Sequence, residues 1–239
     1  MVTWLLVLLP GFLAGLVQGL TGFGAAIIMM IFLPQLFAMG TSAGVAGLIM
    51  VASVVTMVWR YRAHIQIKRI IIPFLIYASV AAWSVHLGQV LDIQLLRHLL
   101  GGLLLALAIY FLVNRRADNQ RYPWWLAGAF MIISGFFNGL FGIGGPLMAL
   151  YFLSLADTTA DYLANLQTFF MIDVVYITTV RVLNGIITAN TIPLILIGMV
   201  GAICGTVLAT RILPHVPMVA VKRLIYIFIG LAGVYYLFF

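Results

Sequence analysis

The chain has 239 residues, of which 65% are apolar and only 7% charged, with 12 Lys and Arg against five Asp and no Glu for a net charge of +7. A soluble domain carries nearer a quarter charged residues, and too little polar surface is present here to cover a water-soluble globule. This excludes a soluble enzyme, a secreted disulfide scaffold and a disordered tail, and leaves an all-α polytopic membrane protein.

Apolar runs fall at 2–39, 42–59, 70–91, 94–113, 124–156, 162–180, 186–210 and 216–239, against the ~20 residues that one helical crossing takes. No stretch between them is polar enough for an extramembrane domain. The N-terminal run has no basic flank and continues past signal-peptide length, so it reads as part of the mature fold. The basic residues lie in the short gaps and form no patch suited to nucleic acid; they read as loop charge that sets orientation. The single cysteine, Cys204, excludes a disulfide within one chain and any CxxC metal or redox site, and reads as a small packing residue.

The two halves, 1–117 and 118–239, resemble each other. Gly15, Gly19, Gly22 and Gly24 recur 120 positions later as Gly135, Gly139, Gly142 and Gly144, and Ile72-Pro73 recurs as Ile192-Pro193. Arg97 matches Arg223 once six residues are inserted. Such agreement predicts two homologous repeats of four apolar segments each. The first run of each half is too long for one crossing: 2–39 as a single helix would extend ~57 Å, nearly twice the ~30 Å hydrocarbon core. Glycine weakens helices and permits tight reversals. The first run is therefore a helical hairpin or a helix broken at Gly19–Gly24, and its twin breaks at Gly139–Gly145, just before Pro146, a favoured first helical position.

Charge favours one topology. If each long run turns back, the halves are inverted. Arg60, Arg62, Lys68, Arg69, Arg115, Arg116, Arg121, Arg211, Lys222 and Arg223 then share a side against Arg97 and Arg181. The positive-inside rule prefers this arrangement, with both termini outside, over eight spans in parallel halves with the termini inside. The second arrangement stays open at this point.

Two four-segment halves, each opening with G-x-x-x-G-x-x-G-x-G in a long apolar run, resemble the TauE/SafE family of sulfite-exporter-like permeases. The motif reads Gly15–Gly24 and Gly135–Gly144, and Gly144-Gly145-Pro146 is similar to the family's Gly-Gly-Pro ending. The first copy has Ala25-Ala26 in place of Gly145-Pro146. The resemblance covers essentially the whole chain. It implies transport of sulfite, sulfonates or other small sulfur-containing organic anions across a bacterial inner membrane.

The glycine breaks suggest where such an anion binds. Helix N-termini present unpaired N–H groups and partial positive charge, so two half-helices starting at Ala25 and Pro146 make an anion site where they converge. Candidate substrate-binding residues are Gln18, Thr21, Gly22, Gly24, Asn138, Gly142, Gly144 and Gly145, with Gln18, Thr21 and Asn138 as side-chain donors. The Gly15-x-x-x-Gly19 and Gly135-x-x-x-Gly139 pairs fit close helix packing instead.

Asp173 lies in the middle of an apolar run, where a charge costs roughly 3 kcal/mol on insertion scales. An acid there is a candidate for proton coupling; the plainer reading is a polar tie between helices. Asn165, Asp173 and Arg181 are spaced by eight residues and share one helix face, and with Gln167 and Arg60 they form a candidate polar pathway. Arg181 lies ~12 Å along the helix from Asp173, too far for a direct pair. Arg60 and Arg181 end equivalent segments, where they attract anions to a vestibule or anchor at the interface. His64, His98 and His215 sit near run ends. His86, inside a run, is a packing contact or a proton carrier. No residues have metal-ligand spacing, no cofactor or nucleotide motif occurs, and no cluster of catalytic side chains suggests an enzyme. Energy then comes from a gradient or a separate subunit. The expected function is a secondary transporter embedded in the lipid bilayer; the alternative is a passive anion facilitator of the same fold. The apolar exterior carries no signal of oligomeric state.

Overall fold

The computed structural model describes residues 2–113, 122–212, 230, 231, 233, 234 and 236–238. Arg115, Arg116, Asp118, Arg121, His215, Lys222 and Arg223 lie outside the described residues. Among the described residues every regular element is helical. The helices are α1 (Val2–Thr21), α2 (Ala25–Phe32), α3 (Met39–Tyr61), α4 (Lys68–Val90), α5 (Ile93–Val113), α6 (Trp124–Phe141), α7 (Gly145–Leu155), α8 (Thr159–Leu183) and α9 (Ile192–Ile212). Seven of them, all but α2 and α7, are long and apolar enough to cross a membrane. The chain is therefore a multi-pass membrane protein. Its outer surface carries large exposed apolar side chains, including Trp4, Trp59, Trp83, Trp124 and Trp125.

Both long runs break where glycine permits it. At the end of α1, Gly22 takes φ 83° and its N–H donates to the Gln18 carbonyl at 2.8 Å; at the end of α6, Gly142 takes φ 71° and its N–H donates to the Asn138 carbonyl at 2.8 Å. A left-handed residue closing the last carbonyls is a standard helix stop, and only glycine adopts it freely. Pro146 then sits in the first turn of α7, where its missing N–H costs nothing.

Packing fixes the helix directions. The glycines of α1 lie against the backbone of α9 in parallel order, Gly11 on Gly198 and Gly15 on Ala202. Gly135 and Gly139 of α6 meet the carbonyls of Tyr77 and Ala81 on α4 in the same parallel sense. These glycine faces pack helices, as their spacing predicts, because an added Cβ would enter the partner's backbone. Ser53 of α3 reaches Ala202 and Thr206 of α9, while Ile49 lies against Gly198, so α3 and α9 are also parallel. In contrast α3 and α8 are antiparallel, with His64 on Asp161 at one end and Gly44 beside Arg181 at the other. Tyr77–Asp173 and Gln89–Asn184 contacts set α4 parallel to α8. Thus α1, α3 and α9 run one way and α4, α6 and α8 the other. Because α1 and α3 run alike, the short α2 between them returns part of the way, and α7 does the same between α6 and α8.

Candidate functional site

The two breaks meet. A Cβ built on Gly145 would lie 3.2 Å from the Phe23 Cβ and 3.9 Å from the Gly24 nitrogen. The N-termini of α2 and α7 therefore adjoin, each with first-turn N–H groups that have no intrahelical acceptor. Around this junction is a cavity of about 40 Å³, room for about one or two waters. Its wall includes Gln18, Gly24, Asn138, Gly142, Gly144, Gly145, Asp173 and Arg181. Eight of the residues singled out from the sequence thus line one cavity.

Each polar side chain in that wall is held from behind. Asp173, 6% exposed, accepts from Asn138 Nδ2 at 3.2 Å on both carboxylate oxygens and from Tyr77 Oη at 3.5 Å. Tyr77 fits only because Gly144 has no side chain: a Cβ there would enter the phenol ring and hydroxyl. Arg181 is 1% exposed, so its head is enclosed by protein. Its Nη2 donates to the carbonyls of Asn138 at 2.8 Å and Gly139 at 3.1 Å, and its Nη1 to that of Ala43 at 3.3 Å. The first two carbonyls belong to the last turn of α6, the partially negative end of a helix. Among the described residues no carboxylate lies within ion-pair distance of this guanidinium. Arg181 also borders a second, wider cavity of about 330 Å³, lined by the starts of α3 and α5 and the ends of α4, α6 and α8. Its side chain stands between the two.

The remaining sequence candidates do not line the inner cavity. Thr21 turns its hydroxyl onto its own backbone, donating to the carbonyls of Val17 or Phe23. Gly22 offers its carbonyl to Gln18 Nε2 at 3.2 Å and Gln167 Nε2 at 2.6 Å. Gln18 Nε2 also donates to Gln167 Oε1 at 3.0 Å, so the free group of Gln18 is an acceptor, not the donor expected. Asn165 braces the loop between α3 and α4, accepting from the Gln66 N–H at 2.7 Å. Arg60 is exposed, 5.9 Å over the Tyr61 ring. His86 and Cys204 are exposed on the outer faces of α4 and α9, so Cys204 does not fill a packing gap. Sequence reasoning missed Tyr77, Met50 and Phe170 in the cavity wall. An aromatic or Met in an apolar run gives no local signal.

A polytopic helical protein with two helix breaks abutting at a buried, charge-bearing cavity has the architecture of a permease. The family profile described as sulfite exporter TauE/SafE matches residues 7–236. The chain belongs to that family, one of exporter-type permeases for sulfite and related sulfur compounds. A search of curated proteins returned no match, and neither did a search of solved structures.

Proposed function

We propose that the protein is a secondary transporter that moves sulfite, sulfonates or a related small sulfur-containing anion across the bacterial inner membrane, with Asp173 coupling movement to protons. The observation that carries this reading is the junction of the α2 and α7 N-termini at a cavity bordered by a buried guanidinium without a carboxylate partner. Oriented N–H groups, together with a buried guanidinium that carbonyls hold but no carboxylate pairs directly, favour an anion there. Asn138 and Tyr77 orient the Asp173 carboxylate, and Arg60 at the far end of α3 adds attraction for an arriving anion.

The site lies between two groups of parallel helices, α1, α3 and α9 on one side and α4, α6 and α8 on the other. The opposite directions of α1 and α6, α3 and α8, and α4 and α9 support inverted halves, 1–117 and 118–239. The tightest seams, α1 on α9 and α4 on α6, cross from one half to the other. Rocking of intact halves, the simplest motion the duplication suggests, would tear both. Movement of one triplet against the other keeps them whole and opens the cavity from alternate sides.

The test is flux of sulfite, and of hydroxymethanesulfonate, whose charge does not change with pH, in proteoliposomes with and without an imposed pH gradient; the fixed-charge sulfonate separates coupling from protonation of sulfite itself. Saturable flux that responds to the gradient in the native protein, and loses that response in Asp173→Asn, is the expected outcome. Saturable flux indifferent to pH in both proteins would instead identify a passive facilitator. Absence of flux for sulfite and a panel of sulfonates, from protein shown to be folded, would overturn the reading.

A further inference from the structure

Gln18 is fully buried, lines the inner cavity, and leaves its Oε1 without a donor. Its amide cannot be turned to change this. The Gly22 carbonyl, which can only accept, takes bonds from Gln18 Nε2 at 3.2 Å and Gln167 Nε2 at 2.6 Å. Exchanging N and O on Gln18 would set its oxygen against both that carbonyl and Gln167 Oε1. Turning Gln167 as well would set that oxygen against the same carbonyl. The network therefore leaves an unpartnered acceptor on a residue of the cavity wall, and a buried acceptor with no donor costs stability until something supplies one. The same cavity offers Arg181 to negative charge.

We infer that the anion carried here is a monoanion that bears its own proton donor. Its charged oxygens face the Arg181 guanidinium and the N–H groups at Gly24 and Gly145, and its O–H donates to Gln18 Oε1. This rests on the transporter reading above and adds to it a rule of selection. Sulfite is taken as hydrogensulfite, and a hydroxylated sulfonate is preferred to its alkyl counterpart. A site built to bond a hydroxyl discriminates strongly against the isostere that lacks it.

Hydroxymethanesulfonate and ethanesulfonate form the deciding pair, since both are permanent monoanions of nearly equal size differing by a hydroxyl for a methyl. Competition against sulfite flux in proteoliposomes measures each. Hydroxymethanesulfonate is expected to compete about tenfold better in the native protein, the scale of one satisfied buried hydrogen bond. In Gln18→Met, where Gln167 still serves the Gly22 carbonyl, the ratio is expected to fall to near one through loss on the hydroxylated compound. Equal competition by the two in native protein with robust sulfite flux would overturn the inference while leaving the transporter reading intact. So would an undiminished preference in Gln18→Met, or sodium dependence of flux that Gln18→Met abolishes, which would make Oε1 a cation ligand. Should the variant fail to fold, the native ratio alone decides. Absence of flux for any sulfur anion would fail the transporter reading itself.

Discussion

Tyr77 reaches Asp173 through a space that Gly144 leaves empty, and neither residue advertises the contact. A tyrosine within an apolar run reads as ordinary packing. A glycine in a break reads as conformational freedom, yet Gly144 has φ −107°, a value open to any residue. Its role is steric and emerges only when α4 is laid beside α7. Gly144→Ala is expected to displace the Tyr77 ring and destabilise the protein by about 1–3 kcal/mol, the usual range for overpacking. Thermal melting checks this, and Tyr77→Phe at the same site is expected to cost about 1 kcal/mol or less. Asp173 was legible because a carboxylate in an apolar run costs so much that it requires a reason. The burial of Arg181 was not legible, since it precedes Asn184-Gly185 and resembles a run-end charge. Arg181→Gln is expected to cut anion flux at least about tenfold, with Arg181→Lys retaining more, because charge is kept while the bond to two α6 carbonyls at once is lost. Equal flux from native and Gln proteins would remove the guanidinium from the transport path.

At the scale of elements, the glycine code separates into two uses. Gly22, Gly24 and Gly142 have positive φ and stop or start helices. Gly11, Gly15, Gly135 and Gly139 lie inside helices and hold neighbouring backbones in contact. The four-residue spacing distinguishes the second use from sequence, and the crowding of glycines near mid-run distinguishes the first. The partner across each seam was not legible, because α9 and α4 are remote in sequence and offer only generic small or apolar faces. Gly15→Val and Gly139→Val are each expected to lower stability by about 2–3 kcal/mol or prevent folding, since an added side chain meets backbone that cannot yield. Gly102→Ala and Gly128→Ala, where an added Cβ meets nothing within 4 Å, are expected to be neutral or stabilising by up to about 1 kcal/mol. Losses at Gly102 and Gly128 as large as those at Gly15 and Gly139 would show that contact with a neighbouring backbone is not what sets the seam glycines apart.

For the whole molecule, two triplets of parallel helices make a specific claim about which parts move together. Paired cysteines in a Cys204→Ser background test it. Ser53→Cys with Thr206→Cys joins α3 to α9, where the native hydroxyls are 2.8 Å apart, and this bridge lies inside one triplet. His64→Cys with Asp161→Cys joins the turn just after α3 to α8, where the native contact is 2.9 Å, and this bridge spans the two. Oxidation is expected to leave flux largely intact in the first pair and to stop it in the second, with recovery on reduction. Arrest by the first bridge and tolerance of the second would reverse the assignment of moving bodies.

The seam between α1 and α9 also bears on how the protein is made. Thr206 donates to the Gly15 carbonyl across 191 residues of sequence, so α1 waits for a partner that is synthesised much later. At ~5–20 residues per second, α1 spends on the order of ten to forty seconds in the bilayer before its partner is synthesised. During that time its glycine face is open to lipid or to any other small-residue helix. A chain stalled before α9 therefore cannot close its central fold, and newly made protein is most vulnerable to membrane proteases in the interval between the two insertions.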